Sequence, residues 1–197
     1  ADIDLTVKEC ITGSLSFNGQ RCTALKILFV HENVYDEFVS KFSKAVDDLV
    51  LGLPWDEKAD LTPLPEQDKP IWLSGLVEDA SQKGAVICNN NGGAKSETAF
   101  FPVVLSNVNA QMRIYHEEQF GPVVPIVKFA DVTEPVEYVI KSKFGQQASI
   151  FGEDPMEISS LVDTLVNQVC RVNINAQCQR GPDVFPFTGR KDSAEGT

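Results

Sequence analysis

The stretch Phe17-Asn18-Gly19-Gln20-Arg21-Cys22-Thr23-Ala24-Leu25-Lys26-Ile27-Leu28-Phe29-Val30 decides how the chain is read. Its second half, Leu25 to Val30, is a near-continuous apolar run of strand length, the pattern of a strand buried on both faces. Before it, Ile3, Val7, Cys10, Ile11, Ser14 and Leu15 recur near helical spacing, so Asp2 to Phe17 reads as a helix. After it, Asn33 is placed to cap a second helix whose stripe is Val34, Tyr35, Phe38, Val39, Phe42, Ala45, Val46 and Leu49. Gly19 allows a tight turn between the first helix and the strand. Cys22 follows, beside the fixed charge of Arg21. A neighbouring cation favours the thiolate, which is the nucleophile. Most free cysteines are simply small buried hydrophobes, and Cys22 has to be weighed against that plainer reading.

Further along, the alternation of helix and strand continues. Gly52 to Pro65, with its prolines and acids, reads as a surface loop, and Glu66 to Lys83 as a helix with Pro70 in its first turn. Ala85 to Cys88 and Phe100 to Leu105 read as strands around an Asn/Gly turn, Asn89 to Ala94. Gln111 to Glu118 is short and polar, with the look of a helical turn. Pro122 to Phe129 reads as a strand whose prolines place its first half at an edge or in irregular backbone. Thr133 to Lys143, capped by Thr133, and Pro155 to Val169 read as helices, with Ala148 to Phe151 and Arg171 to Ile174 as strands. From Asn175 on the chain reads as loop. The expected class is α/β: a largely parallel sheet with helices on both faces, all in one domain over residues 1–197.

Hydrophobic residues make up 43% and charged residues 23%, a globular balance, and no apolar run approaches the length of a membrane span. The formal net charge of -11 argues against nucleic acid and anionic membranes as partners, since both reward basic surfaces. The five cysteines, Cys10, Cys22, Cys88, Cys170 and Cys178, are dispersed without a Cys-x-x-Cys pair, so no metal site is expected. Reduced thiols suggest a cytoplasmic setting. The opening Ala-Asp-Ile-Asp and closing Glu-Gly-Thr look like cuts from a longer protein.

Gly19-Gln20-Arg21-Cys22-Thr23 resembles the nucleophile motif of the aldehyde dehydrogenase superfamily, in which this Cys attacks the substrate carbonyl. His116-Glu117-Glu118-Gln119-Phe120-Gly121-Pro122 carries the same family's Glu-x-Phe-Gly-Pro motif. The resemblance implies that Glu118 accepts hydrogen bonds from the nicotinamide ribose and that Phe120 lies against the nicotinamide ring. A carboxylate has two acceptor oxygens for two adjacent hydroxyls, so the assignment is chemically apt. A third stretch, Gln179-Arg180-Gly181-Pro182-Asp183-Val184-Phe185-Pro186-Phe187, resembles one branch, the non-phosphorylating glyceraldehyde-3-phosphate dehydrogenases. There Arg180 and Arg21 would hold the substrate phosphate between two guanidinium forks, with Thr23 also at the substrate.

The implied reaction oxidises an aldehyde to a carboxylate through a thiohemiacetal and a thioester on Cys22, with NADP or NAD as hydride acceptor. The backbone N–H of Cys22 would donate to the oxyanion. The small-molecule aldehyde is the implied partner, and the family's enzymes are homo-oligomers, dimers or tetramers. The family's Glu-Leu-Gly-Gly base motif, its oxyanion Asn, its dinucleotide-binding domain and its subunit-joining strand have no counterpart in these 197 residues. They therefore match the nucleophile-bearing catalytic domain alone. Three other readings stand beside this one: an aldehyde dehydrogenase with another substrate; a thiol hydrolase pairing Cys22 with His31 or His116; and a domain that binds a ligand or partner without turnover.

Overall fold

The computed structural model describes residues 1–181, 184 and 188–194. Helix α1, Ile3–Leu15, starts at Asp2, whose carboxylate accepts the N–H of Leu5. A short 3-10 turn, Ser16–Gly19, leads through the Cys22 segment into strand β1, Leu28–His31. Helix α2, Glu32–Asp47, follows without a break. Its cap is His31 and not Asn33: the imidazole Nδ1 accepts the N–H of Asn33 at 3.2 Å. His31 is thus a capping residue at the strand end, and Asn33 is one of the donors it satisfies.

Helix α3, Lys69–Gln82, carries Pro70 in its first turn, where the missing N–H has no intrahelical partner to lose. Strand β2, Val86–Ile87, is short and exposed. A small hairpin of β3, Lys95–Ser96, and β4, Ala99–Phe100, precedes β5, Val103–Ser106. Asn89 does more than turn the chain. Its buried amide donates to Pro102 O at 2.8 Å and accepts the Val104 N–H at 2.9 Å, pinning the entry to β5. The one-turn helix α4, Arg113–His116, leads to β6, Val123–Phe129.

The main sheet has the order β1-β6-β5-β2. Both β1 and β5 run parallel to β6, and β2 is antiparallel to β5. Strand β6 is therefore central in the strand order, yet its first half, Val123 to Pro125, pairs with β5 alone, in keeping with the expectation that its prolines place that half at an edge. Pairing with β1 begins at Ile126, so Pro125 stands one residue before that ladder and its missing N–H costs no bond on that side. Helices cover both faces, as the sequence suggests. Val103, Leu105 and Val123 pack with Leu73 and Leu76 of α3, whereas Val104, Val124 and Ile126 pack with Phe38 and Phe42 of α2 and Val7 of α1. Phe42, Leu73 and Leu76 have no exposed surface, and full burial of side chains of this size stabilises by about 1.5–3 kcal/mol each.

Helix α5, Thr133–Lys141, is flanked by Val132 at its cap position; Thr133 supplies no side-chain cap, and Asp131 instead accepts the Thr133 N–H. Strand β7, Phe144–Gly145, pairs with the late strand β10, Arg190–Lys191, inside the region read as loop. Strand β8, Gln147–Ile150, helix α6, Pro155–Leu165, and β9, Arg171–Ile174, complete the chain, with β8 and β9 parallel. This last pair is separate from the main sheet. Residues of β1 and β8 line an apolar cavity of about 380 Å³, which has α5 and α6 among its walls. The sheet is thus predominantly parallel but divided, and the cavity opens onto the segment that carries Cys22.

Candidate active site

The turn before Cys22 is held in an unusual backbone state. Phe17, Asn18 and Gly19 take φ values of 54°, 59° and 69°, three successive left-handed residues. That region disfavours side chains with a Cβ, so two of the three need outside support. Asn18 gets it from Thr62, whose N–H donates to Oδ1 at 3.0 Å and whose Oγ1 accepts from Nδ2 at 3.2 Å. Gly19 is required for space as well, because a Cβ there would lie 2.8 Å from the carbonyl oxygens of both Ser14 and Gly121. Two bonds then set the exit: Ala24 N–H to Arg21 O, and Leu25 N–H to Gly13 O, both 3.0 Å.

This loop presents Cys22 at the surface, on the wall of the cavity that Thr23, Lys26 and Glu118 also line. The backbone N–H of Cys22 has no acceptor among the described residues. Thr23 is turned inward, with 4% exposure. The guanidinium of Arg21 folds back to the end of α1, donating from Nη2 to Thr12 O at 3.3 Å and Gly13 O at 3.2 Å. Burial lowers its pKa, partly offset by the nearby Cys178 and Cys22. Two of the other thiols are disarmed: burial pushes Cys10 up to about 12 and also raises Cys178.

The second loop meets the first, since it leads into β6, the strand next to β1. Arg21, Lys26, Glu118, Gln119, Phe120 and Gly121 surround one small crevice. Phe120 has a φ of 40°, a strained value for an aromatic residue. Gln119 holds the loop from beneath, donating from Nε2 to Lys26 O at 2.9 Å and to Val123 O at 2.7 Å. Glu118 is exposed and its carboxylate makes no hydrogen bond among the described residues, whereas Glu117 is paired with Arg113 at 2.8 Å. Lys26 and Lys69 both feel the charge of Glu118, and the Lys69 ammonium lies 6.0 Å from the centre of the Phe120 ring.

Arg180 is exposed and lines neither space. The backbone on both sides of it is held: Gln147 Nε2 and Arg171 Nη1 donate to Gln179 O, and Arg171 also donates to Gly181 O. Cys178, two residues earlier, is buried close enough to Arg21 to influence it electrostatically, so this loop reaches the nucleophile loop. The rest of the third motif, at Pro182, Asp183 and Phe185 to Phe187, lies outside the described residues. The histidines are committed elsewhere, His31 to the α2 cap and His116 Nε2 to Ala110 O at 2.8 Å. No His–Cys22 hydrogen bond is present among the described residues, so the hydrolase pairing has no geometric support.

The aldehyde dehydrogenase family model matches residues 1–197, the whole chain. The chain belongs to the aldehyde dehydrogenase family. It is 39% identical over 197 residues to the NADP-dependent glyceraldehyde-3-phosphate dehydrogenase of Arabidopsis thaliana, covering all of this chain and 39% of that protein. The corresponding figures for the Streptococcus equinus protein of the same name are 38% over 198 residues, 100% and 40%. Among solved structures, the Bacillus halodurans C-125 NADP-dependent glyceraldehyde-3-phosphate dehydrogenase complexed with NADP superposes with a TM-score of 0.93 at 37% identity, covering 100% of this chain and 40% of that one. A Burkholderia pseudomallei succinate-semialdehyde dehydrogenase gives 0.92 at 33%, with the same coverage. The chain thus spans about two fifths of the length of these relatives.

For a family member, the donor set around the crevice suits part of a dinucleotide. Glu118 offers an open carboxylate, Phe120 an aromatic face, and two buried polar atoms, Arg21 Nε and Gln119 Oε1, have no protein partner among the described residues. The motifs missed Lys26, Gln119 and Lys69. Lys26 had a visible signal, being the one charge inside the apolar run from Leu25 to Val30. Gln119 had none, because it stands at the variable position of its motif. Among the described residues no group of three or more metal-ligating side chains occurs, and no helix is long and apolar enough to cross a membrane.

Proposed function

We propose that this chain is the nucleophile-bearing catalytic domain of an NADP-dependent aldehyde dehydrogenase that oxidises glyceraldehyde 3-phosphate to 3-phosphoglycerate. The observation that carries the reading is the shared cavity: Cys22 and Glu118, distant in sequence, line the same space. The Cys22 thiolate adds to the aldehyde carbon, forming a C–S bond while the oxygen takes the negative charge. The N–H of Cys22, which has no acceptor among the described residues, is available to that oxyanion. Bound NADP⁺ supplies the two-electron acceptor for the hydride that leaves the same carbon. Collapse of the oxyanion gives a thioester, and water cleaves it, returning the thiolate and releasing the carboxylate.

Glu118 and Phe120 fix the nicotinamide end of the cofactor; the motifs assign the phosphate to Arg21 and Arg180, although Arg21 is bonded to the end of α1 and Arg180 lines neither space. The general base and the rest of the dinucleotide site come from residues outside this chain. The same reading carries a cytoplasmic homo-oligomer. The names of the relatives support the substrate and NADP, and the nucleophile loop supports the chemistry.

The test is a single-turnover measurement on the full enzyme carrying Glu118→Gln. Weakened ribose anchoring should slow hydride transfer by about tenfold or more, since small misplacements of reacting atoms are costly to rate. An unchanged hydride step would remove Glu118 from the cofactor site.

A further inference from the structure

We propose that Lys26 is a positioning residue that clamps the Glu118–Phe120 loop onto the nucleophile loop, so that the two halves of the site keep one fixed spacing. The inference rests on the functional reading above for its consequence, but the clamp itself is read from geometry. Lys26 lies four residues after Cys22, at the entry to β1. Its ammonium donates to Ile114 O at 3.3 Å and to Tyr115 O at 3.0 Å. These carbonyls belong to α4, the single turn that leads directly into Glu117 and Glu118. A cation there also complements the carbonyl-rich end of the turn.

The link runs in both directions. The backbone oxygen of Lys26 accepts from Gln119 Nε2, on the far side of Glu118. One residue of the segment between Cys22 and β1 therefore holds the second loop before and after its carboxylate. A water-filled gap between the loops would let them slide; two direct contacts through one residue do not.

The surroundings make the lysine costly to keep and hard to replace. The ammonium lies 5.9 Å from the Tyr138 ring centre and 5.7 Å from that of Phe144. Tyr138 also donates to Tyr115 O, one of the carbonyls that Lys26 uses. The ionisable groups around it are Glu117 and Glu118 from the loop after α4, Tyr115 on α4 and Tyr138 on α5. Burial lowers the Lys26 pKa to about 8 despite the attraction of Glu118 and Glu117. A lysine held at that cost in the otherwise apolar run that enters β1 points to a positional task rather than to packing.

The experiment compares wild type with Lys26→Met and Lys26→Arg in the full enzyme. The first readout is amide hydrogen exchange, which needs no activity. The N–H of Glu117, bonded to Arg113 O at 2.8 Å, reports on the turn. Lys26→Met should cut its protection about tenfold or more, the loss expected for one charge-assisted hydrogen bond. Lys26→Arg, which keeps a charged donor, should recover most of it.

The second readout is single-turnover hydride transfer, which should slow about tenfold in Lys26→Met, while the iodoacetamide rate at Cys22 stays within about twofold. A folded Lys26→Met protein with wild-type protection at Glu117 would overturn the clamp. So would protection in Lys26→Arg as low as in Lys26→Met, since the charged donor would then have no part in holding the turn. Absence of aldehyde oxidation in wild type would instead remove the functional reading, and the exchange comparison would still decide the clamp.

Discussion

A Cβ on Gly19 would stand 2.8 Å from the carbonyl oxygen of Gly121. The nucleophile loop and the loop that carries Glu118 and Phe120 therefore touch backbone to backbone. No side chain intervenes, so the spacing between Cys22 and Glu118 depends on a glycine that belongs to neither role.

Gly19→Ala should accordingly be a severe change at a site with no chemistry of its own. The left-handed φ of 69° disfavours any side chain by about 1–2 kcal/mol, and the contacts with Gly121 and Ser14 add to that. Urea denaturation should show a loss of at least about 2 kcal/mol, with the transition slope unchanged. A loss below about 0.5 kcal/mol would mean that the two loops part easily.

Thiol reactivity should follow exposure. Cys22 is exposed beside Arg21, Cys88 and Cys170 are partly covered, and Cys10 and Cys178 are buried with raised pKa values. Iodoacetamide labelling of the folded protein with peptide mapping should therefore modify Cys22 first. Preferential modification of Cys10 or Cys178 would contradict the assigned burial.

Two buried groups give stability opposite pH dependences. Cys10 titrates near 12 when folded against 9.0 for an unperturbed thiol, so the unfolded chain ionises first and stability falls as pH rises above 9, by up to about 1.4 kcal/mol per pH unit. Cys178 adds to this fall. Lys26 works the other way. Its folded pKa of about 8 lies below 10.5, so the unfolded chain holds the proton longer; its penalty is complete below pH 8 and is relieved between about 8 and 10.5. Lys26→Met should steepen the loss of stability above pH 9, and Cys10→Ala should flatten it, with chemical denaturation at each pH as the measurement.

These residues also show how far the sequence could be read. The α/β class follows from apolar stripes and runs that the core uses as expected, such as Phe38 and Phe42 on α2 and Val103 to Leu105 on β5. The prolines of β6 mark its first half as one-sided, as its ladders show, but the place of β6 between β1 and β5 does not follow, because its partners lie far along the chain and leave no local signal. The His31 cap is hidden for a related reason: imidazole is an uncommon cap, and only coordinates show its nitrogen facing an N–H. At the candidate site, the sequence singles out Cys22, Glu118 and Phe120 because their motifs are local, and the fold brings Cys22 and Glu118 to one cavity. Lys26 stood out only as the one charge in its apolar run and Gln119 not at all, since their contacts join segments that only folding brings together.

Substrate choice is tested at Arg180. If Arg180 and Arg21 hold one phosphate, each supplies a charge-assisted hydrogen bond of about 1.5–3 kcal/mol, and losing one costs roughly ten- to a hundredfold in kcat/KM. Arg180→Ala in the full enzyme should show that loss with glyceraldehyde 3-phosphate and little change with glyceraldehyde. Equal losses on both would assign Arg180 to the support of its loop, alongside Arg171.

The most direct test of the central claim is to trap the covalent intermediate. Full enzyme is mixed with NADP⁺ and glyceraldehyde 3-phosphate, quenched in acid within the first turnover, digested and mapped by mass spectrometry. The account predicts a phosphoglyceroyl thioester on the peptide that contains Cys22, and none after Cys22→Ala. An acyl group on Cys10, Cys88, Cys170 or Cys178, or undiminished turnover in Cys22→Ala, would contradict it.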